Sequence, residues 1–148
     1  MDQPWRIQMF GGLRAERGER VVEHFRTQKT GSLFAYLAYP SDRAHPREVL
    51  IEFLWPGVDP ETGRHNLSLA LSALRDQFEP AGVPSGWIIK ADRSTVQLNP
   101  DAIETDVGQF FAELQAATDA DSDADRTRHR MAAVDLYRGE FLSGHYDN

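Results

Sequence analysis

The segment from Arg64 to Phe78, RHNLSLALSALRDQF, constrains the fold of this chain most strongly. At about 100° per residue, its larger apolar residues fall on one narrow stripe of a helix, with Ala70 at the edge. These stripe residues are Leu67, Leu71, Leu74 and Phe78. We therefore predict an amphipathic helix whose stripe faces a core. The opposite face is almost uncharged and includes Leu69, although a single apolar residue on a surface helix is common and by itself marks no site.

Composition limits the classes of protein to consider. The chain has 148 residues, of which 41% are hydrophobic and 10% aromatic, so it can form one or two small domains with a real core. It contains no cysteine, which excludes disulfides, thiolate metal sites and cysteine nucleophiles. No apolar run reaches signal-peptide length or the roughly 18 residues that a membrane-spanning helix needs. We expect a cytoplasmic protein without a membrane partner.

The charge is unevenly distributed. The net charge of −7 taken alone argues against a nucleic-acid partner, because the phosphate backbone favours basic surfaces. Residues 1–100, however, carry 12 Lys and Arg against 12 Asp and Glu, whereas residues 101–148 carry 4 against 11. The acidic run DADSDAD at 119–125 is typical of a solvated loop between helices. The asymmetry suggests two parts with different partners.

The N-terminal 40 residues predict strands followed by a helix. Short strands over 7–10, 13–15 and 21–22 are separated by glycine turns, which favour a small antiparallel sheet. Thr27 or Thr30 is the predicted N-cap of a first helix, which Pro40 ends.

The next 60 residues predict two more helices and a hairpin. A second helix begins after Pro46 and ends before Pro56, and the third helix over 64–78 follows. The residues of the second helix that we expect to face inward are Val49, Leu50, Phe53 and Leu54. The run WIIKADRSTVQL predicts a β-hairpin whose tip carries Lys90 and Arg93. Sheet, three helices and hairpin is the order of an α+β winged helix, in which the third helix enters the DNA major groove.

A new pattern starts near residue 104. ETDVGQFFAELQAAT predicts a helix capped by Thr105 or Asp106, and a second helix follows from about Ala124 to Arg138. We therefore expect a winged-helix domain over 1–100 and an all-α helical hairpin of repeat type over 104–148. Two short helices cannot bury the apolar residues near the end of the chain, so these should fold back on the first domain, self-associate or stack on further repeats. Of the three, we expect folding back. The likeliest open patch consists of Tyr137, Phe141, Leu142 and Tyr146.

Six segments occur in a specific order: FRTQKTGSLFAYLA, HPREVLIEFLWP, RHNLSLALSALRDQFEP, ADRSTVQLNP, TDVGQFFAEL and LYRGEFLSGHYD. In this order they resemble the N-terminal part of the SARP type of bacterial regulators. The resemblance implies an OmpR/PhoB-like winged helix followed by the start of a TPR-like bacterial transcriptional activation domain. The partners it implies are double-stranded DNA, RNA polymerase, a second copy of the chain on DNA, and the remaining helical repeats of a longer chain.

The resemblance also assigns phosphate contacts to the second helix. PREVLIEFLW matches a family segment in which an arginine and a tryptophan contact phosphate, which places these roles on Arg47 and Trp55. Arg47 belongs to the first turn of its helix, where backbone N–H groups favour an anion. Trp55 can donate through its indole nitrogen, and packing in the core is the alternative role for it. Arg26 and Lys29 resemble a similar cluster on the first helix.

The third helix departs from the family pattern. Many relatives carry arginine or glutamine at the positions of Ser68, Leu69 and Asp76, and bidentate arginine to guanine is the commonest strong base contact. We therefore expect modest base reading by hydroxyl, imidazole and amide groups, with Leu69 or Ala73 against thymine methyl groups. The complete set of candidate DNA contacts is Arg47, Trp55, Arg64, His65, Asn66, Ser68, Leu69, Ser72, Arg75, Lys90, Arg93 and Ser94.

Two other functions are alternatives to DNA binding. A winged helix can act as a protein-interaction or dimerisation module without tight DNA binding, with Leu69 and Ala73 as its contact patch. An enzyme is disfavoured because the five histidines show no metal-ligand spacing, and no phosphate loop or nucleophile elbow is present. We therefore expect no catalytic residue, no metal and no cofactor.

Overall fold

A computed structural model describes residues 3–80 and 82–143 of the chain. In chain order, the strands and α-helices of that part are β1 (Trp5–Gln8), β2 (Arg14–Arg17), β3 (Arg20–Val22), α1 (Gln28–Ala38), β4 (His45–Pro46), α2 (Arg47–Leu54), α3 (Pro60–Phe78), β5 (Ile89–Ala91), β6 (Thr95–Leu98), β7 (Ile103–Thr105), α4 (Asp106–Asp119) and α5 (Asp123–Leu136). This order agrees with the predicted sheet, three helices, hairpin and helical pair.

The N-terminal sheet has one strand more than the sequence predicted. Its strand order is β3-β2-β1-β7. The first three strands are antiparallel, as predicted, but β7 runs parallel to β1, with Trp5 opposite Ile103. The sheet is therefore mixed. Three residues, Ile-Glu-Thr, are too few to show a strand period, so only the pairing with β1 reveals this strand.

The caps of α1 and α3 follow local side-chain chemistry. Thr27 is the N-cap of α1, and its hydroxyl accepts a hydrogen bond from the Thr30 amide at 3.1 Å. Helix α3 begins at Pro60, four residues before the predicted start at Arg64. Asp59 caps it, with Oδ2 accepting from the Thr62 amide at 3.1 Å, and proline suits the first helical position because its missing N–H has no partner there.

The predicted inward face of α2 is wrong in two positions. Leu50 and Leu54 are buried as expected, but Val49 and Phe53 are 49% and 53% exposed, and Ile51 is buried instead. The reason is the close approach of α3, where a side chain at Gly63 would collide with Ile51 Cγ2. The apolar residues of this eight-residue helix lie on two overlapping faces. The contact between Ile51 and Gly63 determines which face is buried.

The stripe of α3 forms the centre of the core, as predicted. All four of its large apolar residues are buried, together with Ala70. Phe78 stacks on Phe34 with ring centroids 4.3 Å apart and contacts the edge of Trp5 at 4.7 Å. The end of the third helix therefore packs against both α1 and β1, and the face opposite the stripe is exposed.

The predicted hairpin is formed by β5 and β6, and β4 completes its sheet in the order β4-β6-β5. Strand β4 was not predicted. It consists of two residues, and His45 pairs with Val96 of β6. We call the β5–β6 hairpin the wing. Because β4 leads directly into α2, the start of α2 is attached to the wing.

The end of the described chain folds back onto the N-terminal sheet. The Leu142 amide donates to Met9 O at 2.6 Å, and the ring of Phe10 packs 5.1 Å from Tyr137 and 6.4 Å from Phe141. Tyr137 and Phe141 remain partly exposed, whereas Leu142 packs against the core. Tyr146, the fourth residue of the predicted patch, lies outside the described residues. The domain boundary near residue 100 stays a prediction.

No helix in residues 3–80 and 82–143 is both long enough and apolar enough to cross a lipid bilayer.

Candidate nucleic-acid interface

The outer face of α3 presents most of the predicted base-reading residues together. Arg64, His65, Ser68 and Ser72 are exposed along it, and Leu69 is 37% exposed among them. Asn66 and Ala73 are half-buried at the borders of this face. The face is thus polar but weakly charged, with one apolar side chain near its middle.

One cleft brings residues from three elements together. It lies between the start of α2, the outer face of α3 and the tip of the wing. Its polar lining consists of Arg47, Glu48, Arg64, Ser68, Arg93 and Ser94. We call it the arginine cleft. Among the described residues, none of the three guanidinium groups forms a salt bridge. Their charge is therefore available to an anionic partner.

The wing tip is a tight turn that also holds Arg47. Asp92 Oδ1 accepts hydrogen bonds from the amides of Ser94 at 2.8 Å and Thr95 at 2.7 Å. These bonds, that of Ser94 first, hold the pKa of the Asp92 carboxyl below its ordinary value. Arg47 donates from Nε to Asp92 O and from its backbone amide to Ser94 O, both at 2.8 Å. The first turn of α2 and the wing tip thus form one unit.

Arg75 and Lys90 line a different cleft, beneath the wing. Arg75 Nη1 lies 3.1 Å from Glu79 Oε1, and the Glu79 side chain is only 3% exposed. Glu79 Oε2 accepts from the Ile88 and Ile89 amides, at 2.8 Å each. Arg75 is therefore part of a hydrogen-bonded junction between the end of α3 and β5.

Three other predicted contacts lie apart from the arginine cleft. Trp55 is the C-cap of α2, half-buried, and packs against the core, which fits its alternative role. Arg26 and Lys29 flank the start of α1 and do not line the cleft. Five of the twelve predicted DNA contacts therefore line the arginine cleft, and the other seven do not.

The sequence patterns did not predict that Asp92 and Glu79 accept the backbone hydrogen bonds that shape this surface. An aspartate two residues before serine is a known turn signal, because its side chain can accept from the following amides. The sequence DRST therefore contained a signal for Asp92. Glu79 had none, because its partners Ile88 and Ile89 are fixed only by the tertiary structure.

The described part of the chain contains no group of three or more His, Asp or Glu side chains arranged to hold a metal ion. Among the buried polar atoms there, His45 Nε2, Gln77 Oε1 and the indole nitrogens of Trp5 and Trp87 have no hydrogen-bond partner. None of these four residues lines the arginine cleft. The polar lining of the cleft consists of cationic and hydroxyl groups and one carboxylate, that of Glu48.

Comparisons with known proteins give a fold but no family model. No family model matches the chain, and no curated protein matches it. Among solved structures, EmbR of Mycobacterium tuberculosis, determined in complex with a low-affinity phosphopeptide, superposes with a TM-score of 0.80 at 24% sequence identity. The match covers 95% of this chain but only 38% of the EmbR chain. This likeness confirms the predicted fold class, an α+β winged helix followed by a helical hairpin.

Proposed function

We propose that the chain binds double-stranded DNA as the N-terminal part of a SARP-type transcriptional regulator. In this proposal α3 enters the major groove, and the wing lies on the backbone or in the minor groove. The observation that carries it is the convergence of Arg47, Arg64 and Arg93 in the arginine cleft. The fold shared with EmbR, a SARP-family regulator, supports the same function.

The grouping of three arginines in one cleft supports a phosphate contact despite the net charge of −7. Coulomb interactions between exposed charges are screened beyond about 10 Å at moderate salt, so the local charge governs binding. Three arginines that form no salt bridge with described residues line the cleft with one carboxylate, that of Glu48, whereas the acidic run over 119–125 spans the end of α4 and the start of α5. No residue of the acidic run lines the arginine cleft.

Base reading would depend on α3. Its outer face offers the hydroxyls of Ser68 and Ser72, the His65 ring and the apolar side chain of Leu69. Hydroxyl groups can bond to more than one base, and an apolar side chain favours thymine methyl groups. We therefore infer a duplex partner recognised mainly through its backbone, with modest preference among sequences. RNA polymerase, a second copy of the chain and further helical repeats remain expected partners of the longer regulator.

A protein-interaction module is the second candidate function. The observation that favours it is the apolar exposure of Leu69, since a face with few charges also suits a protein partner. The two candidates differ in salt dependence. DNA binding releases counterions and weakens steeply as salt rises, whereas a mostly apolar protein contact does not.

The test is fluorescence anisotropy with the whole chain and a labelled mixed-sequence duplex of about 30 base pairs, between about 50 mM and about 200 mM salt. We expect affinity to fall steeply with salt. Arg64→Ala and Arg93→Ala should each weaken binding and lower the salt slope by about one. Arg130→Ala removes the same charge from the exposed surface of α5 and serves as the matched control.

Two results would overturn the proposal. One is the absence of binding to the duplex at low salt, which leaves the interaction module as the better function. The other is an equal effect of Arg130→Ala and Arg93→Ala, which would show that binding follows the total charge of the chain and not the arginine cleft.

A further inference from the structure

Asp92 places an acidic side chain at the tip of the wing, beside Arg93 and close to Arg47. It is exposed. A carboxylate facing the phosphates of a bound duplex would repel them and weaken binding. An acidic residue at this position is therefore unfavourable unless it contributes something else to the interface.

The hydrogen bonds of Asp92 show what it contributes. One oxygen, Oδ1, accepts from the Ser94 amide, the Thr95 amide and the Thr95 hydroxyl, the last at 3.2 Å. The Asp92 amide in turn donates to Thr95 O at 3.0 Å. These bonds close a four-residue turn with Arg93 and Ser94 at its tip, and three donors pointing at one oxygen offset its negative charge locally.

The same turn fixes Arg47, which lies 45 residues earlier in the chain. Asp92 O accepts from Arg47 Nε, and Ser94 O accepts from the Arg47 amide. Neither Nη atom of Arg47 makes a hydrogen bond to residues 3–80 or 82–143. One edge of the guanidinium group is thus anchored to the turn, and its terminal amino groups are left for another partner.

From this arrangement we propose that Asp92 is a positioning residue of the DNA interface. By shaping the turn from Asp92 to Thr95, it presents the terminal amino groups of Arg47 and the side chain of Arg93 to one stretch of phosphate backbone. Asp92 makes no contact with DNA in this proposal. The inference rests on the proposed DNA-binding function and adds that the turn at Asp92 orients Arg47 and Arg93.

Three substitutions test the role of Asp92. Asp92→Ala removes the acceptor, whereas Asp92→Asn keeps an oxygen that can accept the same amide bonds but removes the charge. Asp121→Ala removes one negative charge from the exposed acidic run and is the matched control. Binding of each whole-chain variant to the duplex of about 30 base pairs is measured across the salt series, and a thermal melt confirms that each variant is folded.

We expect Asp92→Ala to weaken binding by about tenfold, the loss of one charge-assisted hydrogen bond to phosphate. The direction of this change in affinity distinguishes positioning from charge, because removal of a negative charge by itself strengthens binding to DNA. We expect that strengthening for Asp121→Ala. Asp92→Asn should bind as tightly as the unmodified chain or more tightly. In the Arg47→Ala background, Asp92→Ala should cause a smaller additional loss, because part of its effect acts through Arg47.

The outcomes separate the two proposals. If the unmodified chain does not bind the duplex, the proposed function fails, and the positioning role fails with it. If it binds and Asp92→Ala binds as tightly as Asp121→Ala, the positioning role is wrong while the DNA-binding function stands. The positioning role is also wrong if Asp92→Ala reduces affinity in the Arg47→Ala background as much as it does in the unmodified chain. It is wrong too if Asp92→Asn loses as much affinity as Asp92→Ala.

Discussion

The carboxylate of Asp106 accepts a hydrogen bond from the backbone amide of Met9, with Oδ1 2.8 Å from the nitrogen. Its other oxygen accepts from the Phe10 amide at 3.0 Å. Asp106 is the first residue of α4, and Met9 directly follows β1. The helical pair is therefore joined to the N-terminal sheet through main-chain groups, in addition to the aromatic contacts around Phe10.

Asp106→Ala should lower the free energy of unfolding by about 1–3 kcal/mol, because it leaves two partly buried amides without an acceptor. Urea unfolding of the whole chain measures this change. Asp106→Asn should have an intermediate effect, since it keeps one carbonyl oxygen. Asp121→Ala is the exposed control, and an equal loss in that variant would contradict the assigned role of Asp106.

The domain boundary leads to a related prediction. A fragment of residues 1–100 retains all of α1 to α3 and the wing but lacks β7 and Asp106. We expect it to fold and to melt at a lower temperature than the whole chain, because the β1 edge loses its parallel partner. A fragment that does not fold would show that the boundary near residue 100 is wrong. Equal melting would show that β7 and Asp106 contribute little.

Leu69 should read thymine methyl groups if α3 enters the major groove. Replacing thymine by uracil in an alternating A·T duplex removes only this methyl group. Burial of one such group contributes about 0.8 kcal/mol, so we expect about fourfold weaker binding per methyl contact. Anisotropy titrations of the whole chain on the two duplexes measure this preference.

Leu69→Ala should reduce the preference for thymine over uracil while leaving the salt slope unchanged, because it removes no phosphate contact. Methylating cytosine at C5 in an alternating G·C duplex adds a methyl group in the same groove and should strengthen binding of the unmodified chain. Identical affinity for all methylated and unmethylated pairs would show that Leu69 does not read this group, while DNA binding itself would stand.

Gly63→Ala should destabilise the chain although alanine favours helices. The gain in helix propensity is up to about 1 kcal/mol, but the new Cβ would collide with Ile51 Cγ2. We expect a net loss of about 1–3 kcal/mol in urea unfolding, the usual range for overpacking in a core. Ser72→Ala, on the exposed face of the same helix, should leave stability nearly unchanged. A Gly63→Ala variant of higher stability would show that α2 moves away easily.

His45 should make the fold sensitive to mild acid. It is 7% exposed in β4, and its Nε2 has no hydrogen-bond partner among the described residues. Burial first, and the charge of Arg43 second, lower the pKa of the His45 ring. The folded chain therefore binds fewer protons at this site than the unfolded chain. The resulting stability is complete above the unfolded pKa of about 6.5 and decreases as the pH falls below it.

Urea unfolding between about pH 7.5 and about pH 5.5 tests this effect. The unmodified chain should lose stability toward the acidic end. His45→Gln cannot titrate, so its stability should depend less on pH whatever its absolute value. The same pH dependence in both proteins would show that His45 is not the responsible group.

The sequence by itself determined the elements that depend on local chemistry. The stripe from Leu67 to Phe78 is buried because its spacing matches the helical period. The cap at Thr27 and the β5–β6 hairpin follow from side-chain and turn preferences of adjacent residues. The outward position of Leu69 follows from the same period. Each of these features depends on residues only a few positions apart.

Only the tertiary structure decided which face of α2 is buried, where β7 pairs and which cations converge. Val49 and Ile51 are both apolar, so the choice between them depends on the contact of α2 with Gly63. Arg47 and Arg93 meet because β4 pairs with β6, which brings the start of α2 to the wing tip. Such pairings join segments far apart in the chain, and their energies depend on packing that no local pattern encodes.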